Sequence, residues 1–482
     1  MSYFGVTGQP ELYFYTEREM IDKEILTKTP LFKDEWLPTY NKLKESAYAP
    51  KWNTSVGDRL IKEDIEIIER FERFLNEKRE KQIDYPNDYV LKRIKENKEN
   101  IFHYQKVLKD IDIDRDFFKI PLTGKMDLKN DNLVNIIPKN VDLTRMTLNP
   151  TSGTTGDIIY CPNSPASVGC YDPTIQYALK RHGLKKTYDH NVVAAIQLCF
   201  QQSTITYSTV HSYLKGAGFA KINLNRNDWR NADDSRKYIN ESSPVFLSGD
   251  PYAFYQAAKI GIDYKPEIFL SSAITMEDKI YDLVTKKFQR KIVDFYSMNE
   301  TGPIAYSCPL NRKCFHIISP DIYLETVDDG GNHIKNGGFG EIVFTGGRNE
   351  FLPLLRYKTA DFGEIDYSPC SCGETLPTIK RLNARKLVLF RSKTPNLINP
   401  VDISKILRNY PVIAYQFIQR EDYSCDLSLK LIYDISPSVE TRIVKEIANL
   451  FQNSLEIRLN KNLDIKGKKI IPFICEVKTS DI

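Results

Sequence analysis

A short polar run in the first third of the chain carries residue types that can hold an anion. The run Asn149–Gly156 places hydroxyl side chains and two glycines together, with almost nothing apolar to bury. Glycine lets backbone N–H groups turn toward a ligand, and Ser and Thr hydroxyls add short donors. The run therefore predicts either a cradle for a nucleotide triphosphate or an ordinary polar turn. The candidate cradle residues are Thr151, Ser152, Gly153, Thr154, Thr155 and Gly156.

Polar residues also follow two apolar runs farther along the chain. Ile268–Leu270 leads into Ser271, Ser272 and Ala273, and Val293–Tyr296 leads into Ser297–Gly302. In parallel sheets, ligands gather beyond the carboxyl ends of strands. Asp361, which we expect between a strand and a turn, could accept hydrogen bonds from sugar hydroxyls, although a lone acid beside glycine is more often a turn residue.

Cysteine and histidine supply a second, separate signal. Cys370 and Cys372 form a tight pair in a glycine-containing turn, and Cys308, Cys314 and His316 precede them by some 55 to 60 positions. Tetrahedral zinc takes four ligands of these types, and buried thiols are the alternative. The remaining cysteines show no such spacing and are predicted core residues: Cys161, Cys170, Cys199, Cys425 and Cys475.

The elements that must position these residues change along the chain. Residues 1–140 are charged and helical in pattern, and Ile61, Ile65, Ile68, Phe71 and Leu75 recur on one helix face. After the polar run, β-like segments alternate with helical ones, which predicts a largely parallel α/β sheet. Beyond about residue 385, apolar runs and a helical segment predict a compact α+β module.

Composition limits the function classes. The chain has 482 residues, 41% of them hydrophobic and 27% charged, and a formal net charge of +4. No basic block indicates nucleic acid, and no apolar run approaches the roughly 20 residues of a membrane span. The first residues lack a basic region followed by an apolar stretch, so we expect no signal peptide and a cytoplasmic protein with reduced thiols.

The motifs along the chain, in their order and at their separations, together resemble the adenylate-forming superfamily of acyl-CoA synthetases, adenylation domains and luciferases. Within it, the chain is similar to the phenylacetate-CoA ligase-like group and its capsule-synthesis relatives. Pro121–Leu128 resembles that group's lead-in, Thr151–Gly156 its phosphate loop, and Leu247–Tyr252 its small-residue-proline turn. The resemblance covers about residues 110–475. It implies a large multi-lobed α/β domain over 1–384 and a small mobile α+β domain over 385–482.

The resemblance also assigns roles. The phosphate loop would hold the β and γ phosphates of ATP, Glu300 would bind Mg²⁺, and Asp361 would bind the ribose. Tyr296 would stack on adenine. The other implied nucleotide-site residues are Ser272, Ala273, Asp294, Phe295, Asn299, Arg381 and Arg385.

Two further assignments follow from the resemblance. A lysine of the small domain would meet the charge that develops at the phosphates, and Lys468 fits best, with Lys466 and Lys469 left open. A structural zinc would be held by Cys308, His316, Cys370 and Cys372, with Cys314 as a spare candidate.

The chain departs from the family pattern at several positions. Asp157 stands where many relatives have lysine, Asn299 replaces Thr or Ser, and Ala360 replaces glycine before the ribose aspartate. No acid follows Arg385 where the family places its hinge residue, which puts the second half-reaction in doubt.

The resemblance implies an AMP-forming ligase that uses ATP and Mg²⁺ to activate a small carboxylic acid. It would then transfer the acyl group to coenzyme A or an amine. The alternatives are a stand-alone adenylating enzyme that loads a carrier-protein thiol or forms an amide, and an inactive binding protein of the same fold. The identity of the acid is not readable, and a homodimer is left open.

Overall fold

The structure is a computed structural model that describes residues 23–77, 84–150, 159–383, 388, 390–392, 397–463 and 471–477. Several predicted residues lie outside these ranges: Thr151–Gly156, Asp157, Arg385, Lys466, Lys468 and Lys469.

The helices have sequence patterns that explain where they begin and which face they bury. In α3, the predicted stripe is confirmed, because Ile68, Phe71 and Leu75 are buried while charged residues cover the opposite face. Other helices begin at side-chain caps, as where Asp250 accepts from the amide of Ala253 at 2.8 Å to start α11. The helices are α1 (Lys23–Lys28), α2 (Leu37–Lys44), α3 (Lys62–Asn76), α4 (Asp88–Asn100), α5 (Phe102–Val107), α6 (Lys125–Asn130), α7 (Leu133–Ile136), α8 (Pro165–Gly169), α9 (Tyr171–Arg181), α10 (Asp234–Ser242), α11 (Pro251–Lys259), α12 (Asp278–Phe288), α13 (Pro400–Leu407) and α14 (Pro437–Leu450).

The strands form one large sheet and three smaller ones. They are β1 (Thr147–Pro150), β2 (Tyr160–Asn163), β3 (Val193–Cys199), β4 (Tyr207–His211), β5 (Ala217–Asn223), β6 (Phe246–Gly249), β7 (Ile268–Ser271), β8 (Ile292–Met298), β9 (Gly302–Ser307), β10 (Phe315–Ile317), β11 (Ile322–Val327), β12 (Phe339–Gly346), β13 (Leu354–Asp366), β14 (Thr378–Asn383), β15 (Phe390–Arg391), β16 (Leu397–Ile398), β17 (Val412–Gln419), β18 (Cys425–Leu431), β19 (Ile457–Asn460) and β20 (Phe473–Cys475). The large sheet has 12 strands in the order β11-β12-β13-β14-β10-β9-β8-β7-β6-β3-β5-β4.

The predicted α/β fold is confirmed, but the prediction of a largely parallel sheet is wrong for half of the large sheet. Strands β5, β3, β6, β7 and β8 pair in parallel. From β8 through β9, β10, β14, β13 and β12 to β11, every pair is antiparallel. Parallel neighbours need crossover connections such as helices, and no α-helix interrupts the chain between β9 and β14.

The parallel half is covered on both faces, as alternating strand residues require. Ile196, Leu247 and Phe269 pack in one core with α10, α11 and α12, whereas their neighbours Ala195 and Phe246 pack in another with α3 and α9. This two-sided burial fixes the register of the strands whose ends carry the candidate site.

The chain beyond residue 397 has its own core. Strands β19, β18, β17 and β20 form a sheet in that order, and Phe417, Leu427, Ile443 and Phe451 lie buried between it and helices α13 and α14. The predicted boundary at 384/385 lies outside the described residues and stays a prediction.

Among the described residues, helices are too short or too polar to cross a membrane.

Candidate active site and cysteine–histidine cluster

The carboxyl ends of three parallel strands lie in register. Gly249 of β6 pairs with Ser271 of β7, which pairs with Asp294 of β8. The amide of Ser272 donates to the carbonyl of Gly249 at 3.1 Å, which closes the loop after β7 against β6. Ala273 then takes a left-handed φ of 73° and is exposed. The polar residues after these strands therefore share one edge of the sheet.

Asp294 carries a perturbed carboxyl group at this edge. Burial raises the pKa of Asp294 to about 7, although the amides of Met276 and Phe295 act in the opposite direction. Its proton occupancy therefore changes near neutral pH, so the group can both donate and accept hydrogen bonds there. The next residue, Phe295, is 7% exposed and packs into the core with α9, so its ring is directed away from the edge.

Asp361 lies inside strand β13, and the expectation that it follows a strand is wrong. Glu341 pairs with Phe362 and Val343 with Lys358, so residues 359–361 face Ile342 alone. This bulge inserts extra residues into one strand and redirects their side chains. Hydrophobic patterning did not reveal the bulge, because it depends on the register of β13 against β12.

Ala360 adopts the left-handed backbone conformation within this bulge. Its φ is 61°, a value that glycine tolerates and alanine does not favour. Its amide donates to Glu341 at 3.1 Å, and the amide of Asp361 donates to the Thr359 hydroxyl at 3.1 Å. The glycine that relatives carry at this place therefore matches the conformation observed here.

Two tyrosines link the chain segments that carry Glu300 and Asp361. The hydroxyl of Tyr296, on β8, donates to Asp361 at 3.1 Å. The hydroxyl of Tyr357, on β13, donates to Glu300 at 3.4 Å. Glu300 lies just beyond the end of β8. Each strand thus supplies one carboxylate and the tyrosine that contacts the other, although three strands separate β8 from β13 in the sheet.

The turn that carries Glu300 depends on a glycine. Gly302 has a φ of +69°, and a Cβ there would lie 2.4 Å from the ring of Tyr171. A larger residue would have to displace that ring and shift the turn. Within the turn, Asn299 is exposed and Glu300 is half-buried.

The ends of the predicted phosphate loop are held together. Strands β1 and β2 pair in an antiparallel hairpin, with Asn149 opposite Cys161 and Pro150 opposite Tyr160. Burial raises the pKa of the Cys161 thiol, Glu300 raises it further, and Lys125 lowers it. One end of the loop therefore lies near both an acid and a lysine.

The lead-in segment contributes residues to which sequence reasoning gave no role. Thr123 pairs with Tyr357, its amide donates to the Arg356 carbonyl at 2.9 Å, and its hydroxyl donates to the Leu355 carbonyl at 2.8 Å. Its similarity to a family motif marked this segment, but its partner in β13 was not apparent from spacing. Tyr357 was missed as well, although it lies four residues before Asp361.

Arg381 lies on β14 and is engaged at the surface. Its guanidinium pairs with Glu364 at 2.7 Å and lies over the ring of Phe339, 4.9 Å from its centroid. Its side chain is 63% exposed.

The predicted cysteine and histidine ligands converge. Ligand atoms of Cys308, His316, Cys370 and Cys372 all lie within 4.8 Å of one another. The Sγ atoms of Cys308 and Cys370 are 3.7 Å apart, and His316 Nε2 is 3.3 Å from Cys372 Sγ. With Zn–S bonds of about 2.3 Å, a tetrahedral site has S···S edges of about 3.8 Å. The geometry and the donor set therefore fit a zinc ion.

Neighbouring strands place these four residues. Strand β10, which carries His316, lies between β9 and β14, while Cys308 directly follows β9 and the cysteine pair lies in the turn between β13 and β14. Burial lowers the pKa of His316 to about 4, which keeps the imidazole neutral as a metal ligand must be. Cys314 is buried nearby but is not one of the four converging residues.

Comparisons with known proteins identify relatives of the chain. No protein-family model matches it. A phenylacetate-coenzyme A ligase from Thermus thermophilus is 29% identical over 141 residues, which are 28% of this chain and 32% of the relative. Protein CapK from Staphylococcus aureus is 22% identical over 194 residues, which are 38% of this chain and 41% of the relative. The matched segments thus span less than half the length of these curated relatives.

A solved structure shares the fold. The 2-hydroxyisobutyryl-CoA ligase, crystallised with its acyl-adenylate and CoA in the thioesterification state, superposes with a TM-score of 0.55 at 13% identity. The superposition covers 81% of this chain and 88% of that one. This likeness confirms the predicted fold.

The left-handed Ala360 gives a testable stability difference. We expect Ala360→Gly to raise the free energy of unfolding by about 1 kcal/mol, because glycine removes the steric cost of a positive φ. The measurement is the midpoint of urea or thermal unfolding.

The matched control for this change is Ala448→Gly, within helix α14. There the same substitution should lower stability by about 1 kcal/mol, because glycine disfavours helix interiors. If both variants are destabilised by the same amount, the conclusion that Ala360 is strained by its positive φ is wrong.

Proposed function

The chain resembles the phenylacetate-CoA ligase-like group of the adenylate-forming superfamily, and from this premise we propose that it is an ATP- and Mg²⁺-dependent ligase that activates a carboxylic acid as an acyl-adenylate. It then transfers the acyl group to coenzyme A or an amine. The observation that carries this proposal is the pair of contacts, Tyr296 with Asp361 and Tyr357 with Glu300, which joins β13 to β8 and to the turn that follows β8.

In the first half-reaction, an oxygen of the substrate carboxylate attacks the α phosphorus of ATP. A new P–O bond forms, the bond from the α phosphorus to the bridging oxygen breaks, and pyrophosphate leaves with the electron pair. Negative charge accumulates on the departing group, so the site must supply donors and cations there. Thr151, Ser152, Thr154 and Thr155 are the proposed donors.

Glu300 and Asp361 have separate proposed roles in binding the nucleotide. Glu300 would hold Mg²⁺, which when bound neutralises phosphate charge and orients the phosphate oxygens. Asp361, fixed by Tyr296, would accept hydrogen bonds from the ribose hydroxyls. Asp294, at the edge shared by β6, β7 and β8, would meet the adenine side of the nucleotide with a carboxyl group that can donate or accept.

Lys125 supplies a phosphate-side cation from a different element. Relatives often carry a lysine directly after the phosphate loop, where this chain has Asp157. Lys125 begins α6, and its charge acts on the same Cys161 thiol as the charge of Glu300. We therefore assign Lys125 to the phosphate side and keep Lys468 as the cation contributed by the small domain.

The four converging cysteine and histidine residues would bind a structural Zn²⁺. Three thiols and one neutral imidazole form a closed donor set, which leaves no open position for chemistry. Its role would be to fasten the ends of β9, β10, β13 and β14 together.

A carboxylate-dependent pyrophosphate exchange assay tests the activation step. Labelled pyrophosphate should enter ATP in the presence of the correct acid from a broad panel. Glu300→Gln should reduce the exchange rate by about 100-fold, because it removes the anionic Mg²⁺ ligand. Glu99→Gln, on the exposed side of α4, is the matched control and should behave as the wild type.

Two outcomes of this assay contradict the proposal. No exchange by the wild type with any acid favours the inactive binding protein of the same fold. Unchanged exchange in Glu300→Gln removes the role of Glu300.

A separate measurement identifies the acceptor: the release of AMP that depends on coenzyme A, an amine or a carrier protein.

The lysine assignments are tested one residue at a time. Lys468→Ala should slow exchange by about 100-fold, whereas Lys466→Ala and Lys469→Ala should stay within about twofold of the wild type. Lys125→Ala should chiefly raise the KM for MgATP, because it acts on the bound phosphates. Exchange in Lys468→Ala equal to that of the wild type would remove that assignment.

The zinc proposal is tested by metal analysis of the purified protein. We expect about one zinc per chain, since the four ligands form one closed tetrahedral site. Cys372→Ser should lose the metal and unfold at a lower temperature. Cys425→Ser, at a buried cysteine of the C-terminal sheet, should keep it. A wild-type protein without zinc would leave three reduced thiols and one neutral imidazole as the correct description.

A further inference from the structure

His333 lies between two carboxylates, on the connection between β11 and β12. Its Nε2 is 3.0 Å from Asp84 and its Nδ1 is 3.1 Å from Glu325. A carboxylate can only accept, so both ring nitrogens must carry protons to make both bonds. The geometry therefore requires an imidazolium. The ring also stacks on Phe118, with centroids 3.8 Å apart and an interplanar angle of 14°.

Both carboxylates have further partners, which fix their positions. Asp84 accepts from the hydroxyls of Tyr323 at 3.1 Å and Tyr367 at 2.9 Å, and from the amide of Asn336. Glu325 accepts from the Arg356 guanidinium at 2.7 and 3.0 Å.

The network is buried and its charges balance. Exposure of the side chains is 10% for Asp84, 11% for His333, 0% for Glu325 and 3% for Arg356. Two cations face two anions, so loss of the proton from His333 leaves one buried negative charge uncompensated. Burial alone would lower the pKa of His333, but the two carboxylates raise it to about 9.

The network reaches the candidate site through Arg356. Its guanidinium also donates to the carbonyls of Phe118 at 2.7 Å and Ile120 at 2.6 Å, directly before the lead-in segment. Its own carbonyl accepts from Thr123, whose carbonyl accepts from the amide of Lys358 at 2.8 Å. Tyr357, between these two β13 residues, contacts Glu300.

We propose that His333, as an imidazolium held by Asp84 and Glu325, is a positioning residue that locks residues 118–123 against β13 and thereby sets Tyr357 against Glu300. The lock itself is independent of the proposed ligase activity. Its consequence for MgATP binding rests on that activity.

Hydrogen exchange tests the lock without any assay of activity. In His333→Gln, the amides of Thr123 and Lys358 should lose protection at least tenfold at pH 7, because the buried acids are no longer compensated. The matched control is His211→Gln, since the ring of His211 also contacts an aspartate, Asp172 at 3.0 Å, but on β4, at the opposite edge of the large sheet. Unchanged protection in His333→Gln would overturn the proposal.

The wild type provides a second test that needs no variant. The raised pKa of His333 means that its stabilising effect is fully present below about pH 6.5, the ordinary histidine value, and is lost as the pH rises through about 9. Protection factors at Thr123 and Lys358 should therefore fall over this interval. Flat protection factors across it would overturn the proposal.

The consequence for the site is measured by pyrophosphate exchange. His333→Gln should raise the KM for MgATP about fivefold or more with a smaller change in kcat, and Tyr357→Phe should do the same. Their effects on the KM for MgATP should not add in the double variant if both act through the Tyr357 contact.

A fall in kcat alone, or full additivity of the two effects, would overturn the coupling to Glu300. Absence of exchange in the wild type would refute the proposed function, while hydrogen exchange still decides the lock.

Discussion

Two buried arginines hold together the antiparallel half of the large sheet. Arg348 makes two 3.0 Å bonds to Asp321 and donates to the carbonyl of Pro303 at 2.7 Å, just beyond the turn that carries Glu300. Arg356 pairs with Glu325 in the same two-bonded manner and donates to the carbonyls of Phe118 and Ile120. Loss of the carboxylate partner of a buried guanidinium destabilises the fold by about 3–5 kcal/mol. Each arginine therefore favours the arrangement of the surrounding segments in which its carboxylate partner is in place. The turn with Glu300 and the strand with Tyr357 and Asp361 are thus fixed from opposite sides.

The sequence predicted the parallel half of the sheet well because its signals are local. The apolar runs Ile268–Leu270 and Val293–Tyr296 located β7 and β8 to within one or two residues. The antiparallel half was not predicted: five of its six pairs join consecutive strands, but the alternation of strands and helices that indicates a parallel sheet stops at β8. The same limit applies to the site. Polar residues after β7 and β8 were found from their position after a strand, whereas the bulge at Asp361 depends on the register between β12 and β13.

Residue type predicted ligands better than it predicted supporting residues. Residue type and spacing singled out five candidates, and the family resemblance selected the four that the structure brings together: Cys308, His316, Cys370 and Cys372. Tyr357, His333 and Arg356 act through other side chains, and tyrosine, histidine and arginine occur widely as packing or surface residues. Their roles become visible only once Glu325, Asp84 and Glu300 lie beside them. The phosphate loop and the lysine cluster at 466–469 lie outside the described residues, so their roles rest on the sequence.

The cysteine–histidine cluster and the buried network act on the same strands from different places. Strand β13 begins beside the network at Arg356, passes the bulge at Asp361, and leads into the turn that carries Cys370 and Cys372. A bulge disrupts the ladder of hydrogen bonds locally and bends the strand, so the position of Asp361 depends on how the strand is held on either side of it. The buried network contacts β13 before the bulge, and the turn with the cysteine pair follows β13 after it. Neither group of side chains has to enter the site to set the course of the strand through it.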